Sequence, residues 1–177
     1  MVAKDDSGVI STPRLRLRCW AETHRDAFAA LHADPQVMID YGGPISRTES
    51  DAKLDGYMAS YREHGFTRWA IETLSGDFLG YAGAMARGPD HPLGLHVEIG
   101  WRLARHAWGF GYATEAARAA LTDAFDRVGL DGVIAYTSPD NLRSQAVMER
   151  LQMRRNPCRD FTIEGWRGLV WEARRGG

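Results

Sequence analysis

Gly109 and Gly111 lie two residues apart in "VEIGWRLARHAWGFGYATEAARAALTDAF", between an apolar alternation and an alanine-rich stretch of helical period. A strand that turns through glycine directly into a helix presents backbone N–H groups without partners, because the first turn of any helix leaves four unpaired. Glycine admits φ > 0 and lets a ligand approach the main chain with no Cβ in the way. The turn is therefore an anion seat. Each charge-assisted N–H bond contributes about 1.5–3 kcal/mol, against about 0.3–1 kcal/mol from the helix field on an exposed charge, so hydrogen bonding dominates. The spacing argues against two phosphate-binding classes. A nucleotide-hydrolysing P-loop needs a lysine after its last glycine, and Tyr112 follows Gly111. A dinucleotide fingerprint fits poorly: Thr114 stands where a third Gly or Ala belongs, and Asp131 precedes the next strand instead of lying at its far end.

The elements that must position this turn are legible from period. "RLRLRCW" alternates as a half-buried strand entered at Pro13. "ETHRDAFAALHA" places Ala27, Ala30 and Leu31 at helical spacing and ends near Pro35. A polar helix capped by Ser46 or Thr48 carries Leu54, Tyr57, Met58 and Tyr61 on one side as far as Gly65. "FTRWAIET" and "DFLGYAGAMAR" form a hairpin through Ser75, Gly76 and Asp77, and Trp69 is expected in the core. After the loop "GPDHPLG" comes the strand Val97 to Leu103. The long helix then carries Ala113, Ala116, Ala117, Ala120, Leu121, Ala124, Phe125 and Val128 as one stripe, stopped by Gly129. "GVIAYTS" is a short strand. "NLRSQAVMERLQM" is a helix with Leu142, Val147, Met148 and Leu151 inward, and "FTIEGWRGLVWEAR" is a terminal strand pair around Glu164 and Gly165. This order predicts an α+β domain around one mixed sheet.

At 177 residues, 44% hydrophobic, the chain supports one core, so residues 1–177 are expected to form a single domain. No apolar run could span a bilayer, and "MVAKDDSGVI" lacks the apolar stretch of a secretory signal, which predicts a cytoplasmic protein without a membrane partner. Lys+Arg 22 against Asp+Glu 23 gives no broad basic field, so no specific nucleic-acid partner is expected. Cys19 and Cys158 form no Cys-x-x-Cys pair and read as packed or idle thiols. His91 and His96 flank a Pro-Gly loop at no recurrent ligand spacing, so no metal is expected.

"RHAWGFGYATEAA" resembles the coenzyme A pyrophosphate loop of the GNAT acyltransferase superfamily, Q/R-x-x-G-x-G/A, with His106, Gly109 and Gly111 on the pattern. "VEIGWRL" and "NLRSQAVMERLQM" resemble the cofactor-gripping strand and the Asn-x-x-Ser helix start of its RimJ/RimL-like branch, and the resemblance runs from "TPRLRLR" to the final strand. It implies a GNAT-like α+β domain: a mixed, mostly antiparallel sheet splayed at a central parallel pair and flanked by helices. It also implies acetyl-CoA as acyl donor, no metal, an amine acceptor that is a peptide or a small molecule, and a monomer or homodimer. On this resemblance the backbone N–H groups of Trp108, Gly109, Phe110, Gly111, Tyr112, Ala113 and Thr114 hold the pyrophosphate, with His106 contributing chiefly main chain. Trp101 and Leu103 belong to the strand that grips pantetheine as it splays from Val133 to Thr137. Asn141 reaches the pantetheine arm and Ser144 the sulfur. Without the resemblance, Asn141 and Ser144 read as a helix cap and a first-turn polar residue.

Amine acylation needs a neutral nucleophile. A peptide α-amine of pKa about 7.7 is roughly one-sixth neutral at pH 7, a lysine near 10.4 roughly one part in 2,500, a gap of about 3.7 kcal/mol. An enzyme acting on α-amines therefore needs only a weak base or an oriented water. Glu98, on the gripping strand, is the candidate base or amine-binding carboxylate; the competing reading is a solvent-facing or ion-paired strand residue. Ser144, or else Tyr136, is the candidate donor to the leaving thiolate, and direct attack in a ternary complex needs neither cysteine. Tyr41, Gly42, Gly43 and the helix from Thr48 to Glu63 are expected to border the acceptor site. His106 replaces the usual Gln or Arg, and Gln152 stands where glycine is common, which costs about 1 kcal/mol if that position is left-handed. The favoured function is acetylation of a protein or peptide α-amine, as for ribosomal-protein acceptors. Acetylation of a drug or polyamine and a non-catalytic coenzyme A-binding module remain open alternatives.

Overall fold

Alternating burial makes the first hairpin of the computed structural model, which describes residues 8–176. β1 (Ile10–Ser11) pairs with β2 (Leu15–Arg18), where Leu15 and Leu17 are buried and Arg16 and Arg18 are exposed. The part of the amino-terminal stretch before residue 8, read above for a secretory signal, lies outside the described residues. A 3-10 turn leads into α1 (Arg25–Ala33), followed by α2 (Arg47–His64). Ser46 closes the start of α2 with a capping box: its Oγ accepts from the Glu49 N–H (3.2 Å) and the Glu49 carboxylate accepts from the Ser46 N–H (2.8 Å). Gly65, at φ 72°, ends it.

The hairpin of β3 (Arg68–Thr73) and β4 (Phe78–Arg87) continues into β5 (His96–Leu103), and α3 (Tyr112–Thr122) opens behind the glycine turn. β6 (Gly132–Thr137), α4 (Leu142–Arg150), β7 (Arg154–Arg155), β8 (Phe161–Ile163) and β9 (Trp166–Arg174) complete the chain. The sheet runs β1-β2-β3-β4-β5-β6-β9-β7, with β8 on β9. All pairings are antiparallel except β5 with β6, where the ladder is confined to one register pair, Glu98 opposite Ile134. The sheet is thus splayed at its middle.

Two layers cover it. Ala116, Ala117 and Ala120 of α3, with Val147 and Met148 of α4, pack closely on Leu17, Trp69, Ile71 and Ala82. On the other face Phe28 and Leu31 of α1 and Leu54 and Tyr57 of α2 cover Ala70 and Tyr81. Three details depart from the sequence reading. The long helix widens into a π-helical turn at Asp123–Arg127, where Arg127 donates to Asp123 through Nε and Nη2 and from Nη2 to the Gly65 carbonyl (2.9 Å). Leu142, expected inward, is 70% exposed, because the helix begins there and its first turn projects past the core. The two-residue strands β1 and β7 are too short to show a period. Gln152 does adopt φ 60°, the left-handed stop foreseen at that position. Cys19 is half-buried, Cys158 exposed, and both are free. Among the described residues no helix is long and apolar enough to cross a membrane.

Candidate active site

The glycine turn forms as its composition requires. Gly109 (φ 85°) and Gly111 (φ 79°) are left-handed, and Gly111 is the cap residue of α3, with no side chain satisfying the first N–H groups of the helix. Nothing lies within 4 Å of where a Gly109 Cβ would stand, so the cradle is open. The turn is pinned from outside. The Arg14 guanidinium donates to the Phe110 carbonyl (2.9 Å) and through Nε to Glu115 (2.7 Å), whose carboxylate also accepts from Thr12 Oγ1 (2.6 Å). Trp108 donates from Nε1 to the Leu103 carbonyl (2.8 Å), closing the turn from inside.

This turn forms one wall of a cleft of about 1150 Å³. Of the residues expected to hold a coenzyme, Trp101, Leu103, Trp108, Gly109, Gly111, Tyr112, Ala113, Thr114, Asn141 and Ser144 line it. His106 and Phe110 do not: His106 is exposed in a 3-10 turn at Arg105–Ala107, and the Phe110 ring is 60% exposed and stacks on Tyr112 (5.7 Å between ring centres), while its carbonyl accepts from Arg14. Sequence reasoning missed the cations of this cleft. Arg118, Arg143 and Arg150 line it, and the Arg143 guanidinium stacks 4.2 Å from the Trp108 ring. The helix periods of α3 and α4 place these arginines on cleft-facing turns, but only the tertiary pairing of the two helices brings them together. Unpaired N–H groups, an open cradle and three arginines fit a diphosphate-bearing donor such as acetyl-CoA.

A second cavity, of about 450 Å³, opens from the first; Asp40, Trp101, Arg102, Asn141 and Ser144 line both. Asn141 spans the junction. Its Oδ1 accepts from the Ser144 N–H (3.0 Å), capping α4, and its Nδ2 donates to Asp40 (2.7 Å). Both ends of the amide are thus committed within the chain. Ser144 Oγ makes no hydrogen bond among the described residues, facing the junction as a donor in reserve.

Glu98 lies at the floor of the second cavity and is 4% exposed. It does not face solvent. Arg68 and Arg87 both clasp its carboxylate, and the Tyr136 hydroxyl donates to Oε2 (2.9 Å). Burial alone would raise its pKa, yet the two guanidiniums hold it below the ordinary carboxylate value. A carboxylate so held is a weak base, and the ion-paired reading is the one the geometry supports. Tyr136 is pushed up by burial and by the charge of Glu98, so it stays protonated, its O–H already given to the carboxylate.

Register explains the reach of Arg68. Arg68 on β3 stands opposite Gly83 of β4, and Gly83 opposite Gly100 on β5, so its side chain crosses β4 to reach β5 over bare backbone. A Cβ on Gly100 would come 2.8 Å from Arg68 Nη2 and 3.2 Å from Glu98 Oε1. The outer wall was also missed from sequence. His91 stacks on Tyr136 (5.1 Å between ring centres), and Phe161 and Trp166 of the terminal hairpin complete an aromatic face. Of the loop before α2, Tyr41 and Gly42 line this cavity and Gly43 does not. α2 itself contributes no lining residue; it acts from behind, its Tyr57 hydroxyl accepting from Arg68 (3.4 Å). His91 and His96 belong to the aromatic wall, and among the described residues no group of three His, Cys, Asp or Glu side chains could hold a metal.

Residues 14–154 match the family described as acetyltransferase (GNAT) domain. The chain is 32% identical over 147 residues to an FsC-acetyl coenzyme A-N(2)-transacetylase of Aspergillus fumigatus, covering 78% of this chain and 62% of that protein. Among solved structures, an acetyltransferase from Agrobacterium tumefaciens superposes with TM-score 0.82 at 29% identity, covering 93% of each chain. RimL, a ribosomal L7/L12 alpha-N-protein acetyltransferase solved with coenzyme A, superposes with TM-score 0.75 at 18% identity, over 94% of this chain and 97% of that one, a likeness of fold alone.

Proposed function

The chain belongs to the GNAT acetyltransferase family and is an acyltransferase, and from that premise we propose that it moves an acetyl group from acetyl-CoA to the α-amine of a peptide or protein, in the manner of the RimJ/RimL-like branch. One observation carries the choice of amine: the buried carboxylate of the acceptor cavity, Glu98, is neutralised by Arg68 and Arg87. With Glu98 held as so weak a base, an amine that is already partly neutral at pH 7 is favoured over a lysine side chain by about 3.7 kcal/mol.

The residues divide the work as follows. Main-chain N–H groups from Gly109 to Thr114, with Arg118, Arg143 and Arg150, hold the diphosphate end of the donor, which supplies the thioester. The free edges of β5 and β6 beyond the Glu98–Ile134 pair receive its arm. Ser144 Oγ, at the junction, donates a hydrogen bond to the departing sulfur. Glu98, Arg68 and Tyr136 form a rigid floor that sets the position of the amine, and the acceptor's proton leaves to water. The 177 residues act as one cytoplasmic domain in this reading.

A second reading, acetylation of a small-molecule amine, is favoured by the N(2)-transacetylase relative and by the modest size of the cavity. Thiol release from acetyl-CoA is measured with peptides, a lysine side-chain acceptor, polyamines and aminoglycosides. The α-amine reading expects a peptide to give the highest kcat/KM, with a rising pH limb that moves with the pKa of the amine offered. A lysine or drug amine turning over faster than every peptide overturns it.

A further inference from the structure

One guanidinium that lines the acceptor cavity, that of Arg102, has no ion-pair partner among the described residues. Glu98 is one anion shared by two guanidiniums. Arg68 is 3% exposed, and its Nε has no hydrogen-bond partner. Arg102, one row along β5, lines both cavities: its guanidinium lies 4.1 Å from the centre of the Tyr41 ring and donates to the Val37 carbonyl (3.2 Å), and it has no ion-pair partner among the described residues. Asp40, which accepts from Asn141, and Glu164, on the exposed turn between β8 and β9, line the same cavity without pairing with Arg102. Lys53, on the Tyr41 ring at 5.2 Å, feels these guanidiniums: burial, then Arg68, Arg102 and Arg87, bring its pKa down to about 8.

We infer that the acceptor carries an anionic group close to its amine, a carboxylate in the simplest case, and that Arg102 receives it while the amine faces the junction lined by Ser144. A guanidinium without an ion partner, over an aromatic ring in a half-enclosed cavity, is a carboxylate site of the kind arginine serves best. In a peptide the anion is an acidic residue next after the amine. The inference rests on the α-amine reading and sharpens it to acidic amino termini.

The test uses the whole protein, acetyl-CoA and three carboxy-amidated peptides, Ser-Glu-Gly, Ser-Gln-Gly and Ser-Lys-Gly, in low salt. KM should rise in that order, with about tenfold or more between the first and the last and little change in kcat. Arg102→Gln should bring the ratio close to one, whereas Arg102→Lys, which keeps the charge but alters packing on Tyr41, should preserve the order. Equal KM for the three peptides in the natural protein, or an unchanged ratio in Arg102→Gln, overturns the inference and leaves the α-amine reading standing. Turnover of none of them, while acetyl-CoA still binds, overturns both. Should Arg102→Gln fail to fold, the natural protein and Arg102→Lys decide the matter.

Discussion

Arg68 reaches Glu98 only because Gly83 and Gly100 leave bare backbone beneath its side chain, and that reach decides what Glu98 can do. A carboxylate whose folded pKa lies below its unfolded value of about 4.3 contributes stability that is fully present above that value and lost as pH falls through the folded pKa. Between pH 6 and 9.5 Glu98 does not titrate. Glu98→Gln should therefore lower kcat/KM by a factor constant across that range, where a general base would show a loss shrinking as the amine deprotonates itself. The same variant leaves two guanidiniums over a neutral amide, costing about 3 kcal/mol, read as a fall in Tm of roughly 6–12 °C. That Tm gap should hold from pH 8 to 5 and narrow progressively as pH falls below the unfolded value of about 4.3 towards the lowered folded pKa. A pH-dependent activity loss, or an unchanged Tm, contradicts this account. Glu98 was visible in the sequence as a polar residue on an apolar strand. Its partners, 30 residues before it and 11 before it, were not, because register across strands leaves no local period.

At the scale of elements, the glycine turn was legible because its function and its local conformation need the same residues: φ > 0 at Gly109 and Gly111 is both the turn and the cradle. What holds the turn in place was hidden. Arg14, at the entrance of β2, ties down the Phe110 carbonyl and Glu115 of α3 across about a hundred residues of chain. Arg14→Met should raise the KM for acetyl-CoA several-fold while kcat and Tm change little, because an exposed ion pair contributes at most about 1 kcal/mol to the fold. Initial rates at varied acetyl-CoA check this; an unchanged KM would show that the turn holds its shape unaided. The helices α2, α3 and α4 were readable from their stripes and caps. The widening at Asp123–Arg127 was not, because Asp123 and Arg127 at a spacing of four fit an ordinary turn equally well. The aromatic wall of His91, Tyr136, Phe161 and Trp166 was equally hidden, being assembled from a loop, a central strand and a terminal hairpin.

For the whole molecule, one ligand should stabilise one cooperative unit. At a hundredfold excess over Kd, acetyl-CoA adds about 2.7 kcal/mol, a rise in Tm of roughly 5–11 °C for a chain of this length. A thermal melt with millimolar acetyl-CoA measures it, and no shift would remove the donor cleft from the account. The single register pair between β5 and β6 gives that stabilisation a direction. Main-chain bonding holds β1 through β5 together on one side and β6, β9 and β7 on the other, while only Glu98 opposite Ile134 joins the two sets within the sheet. The halves are otherwise joined by side chains: α3 against α4, and the Tyr136 hydroxyl on Glu98. The protein therefore contains a built-in line of least resistance, and a donor seated as proposed would lie along that line as a removable seam.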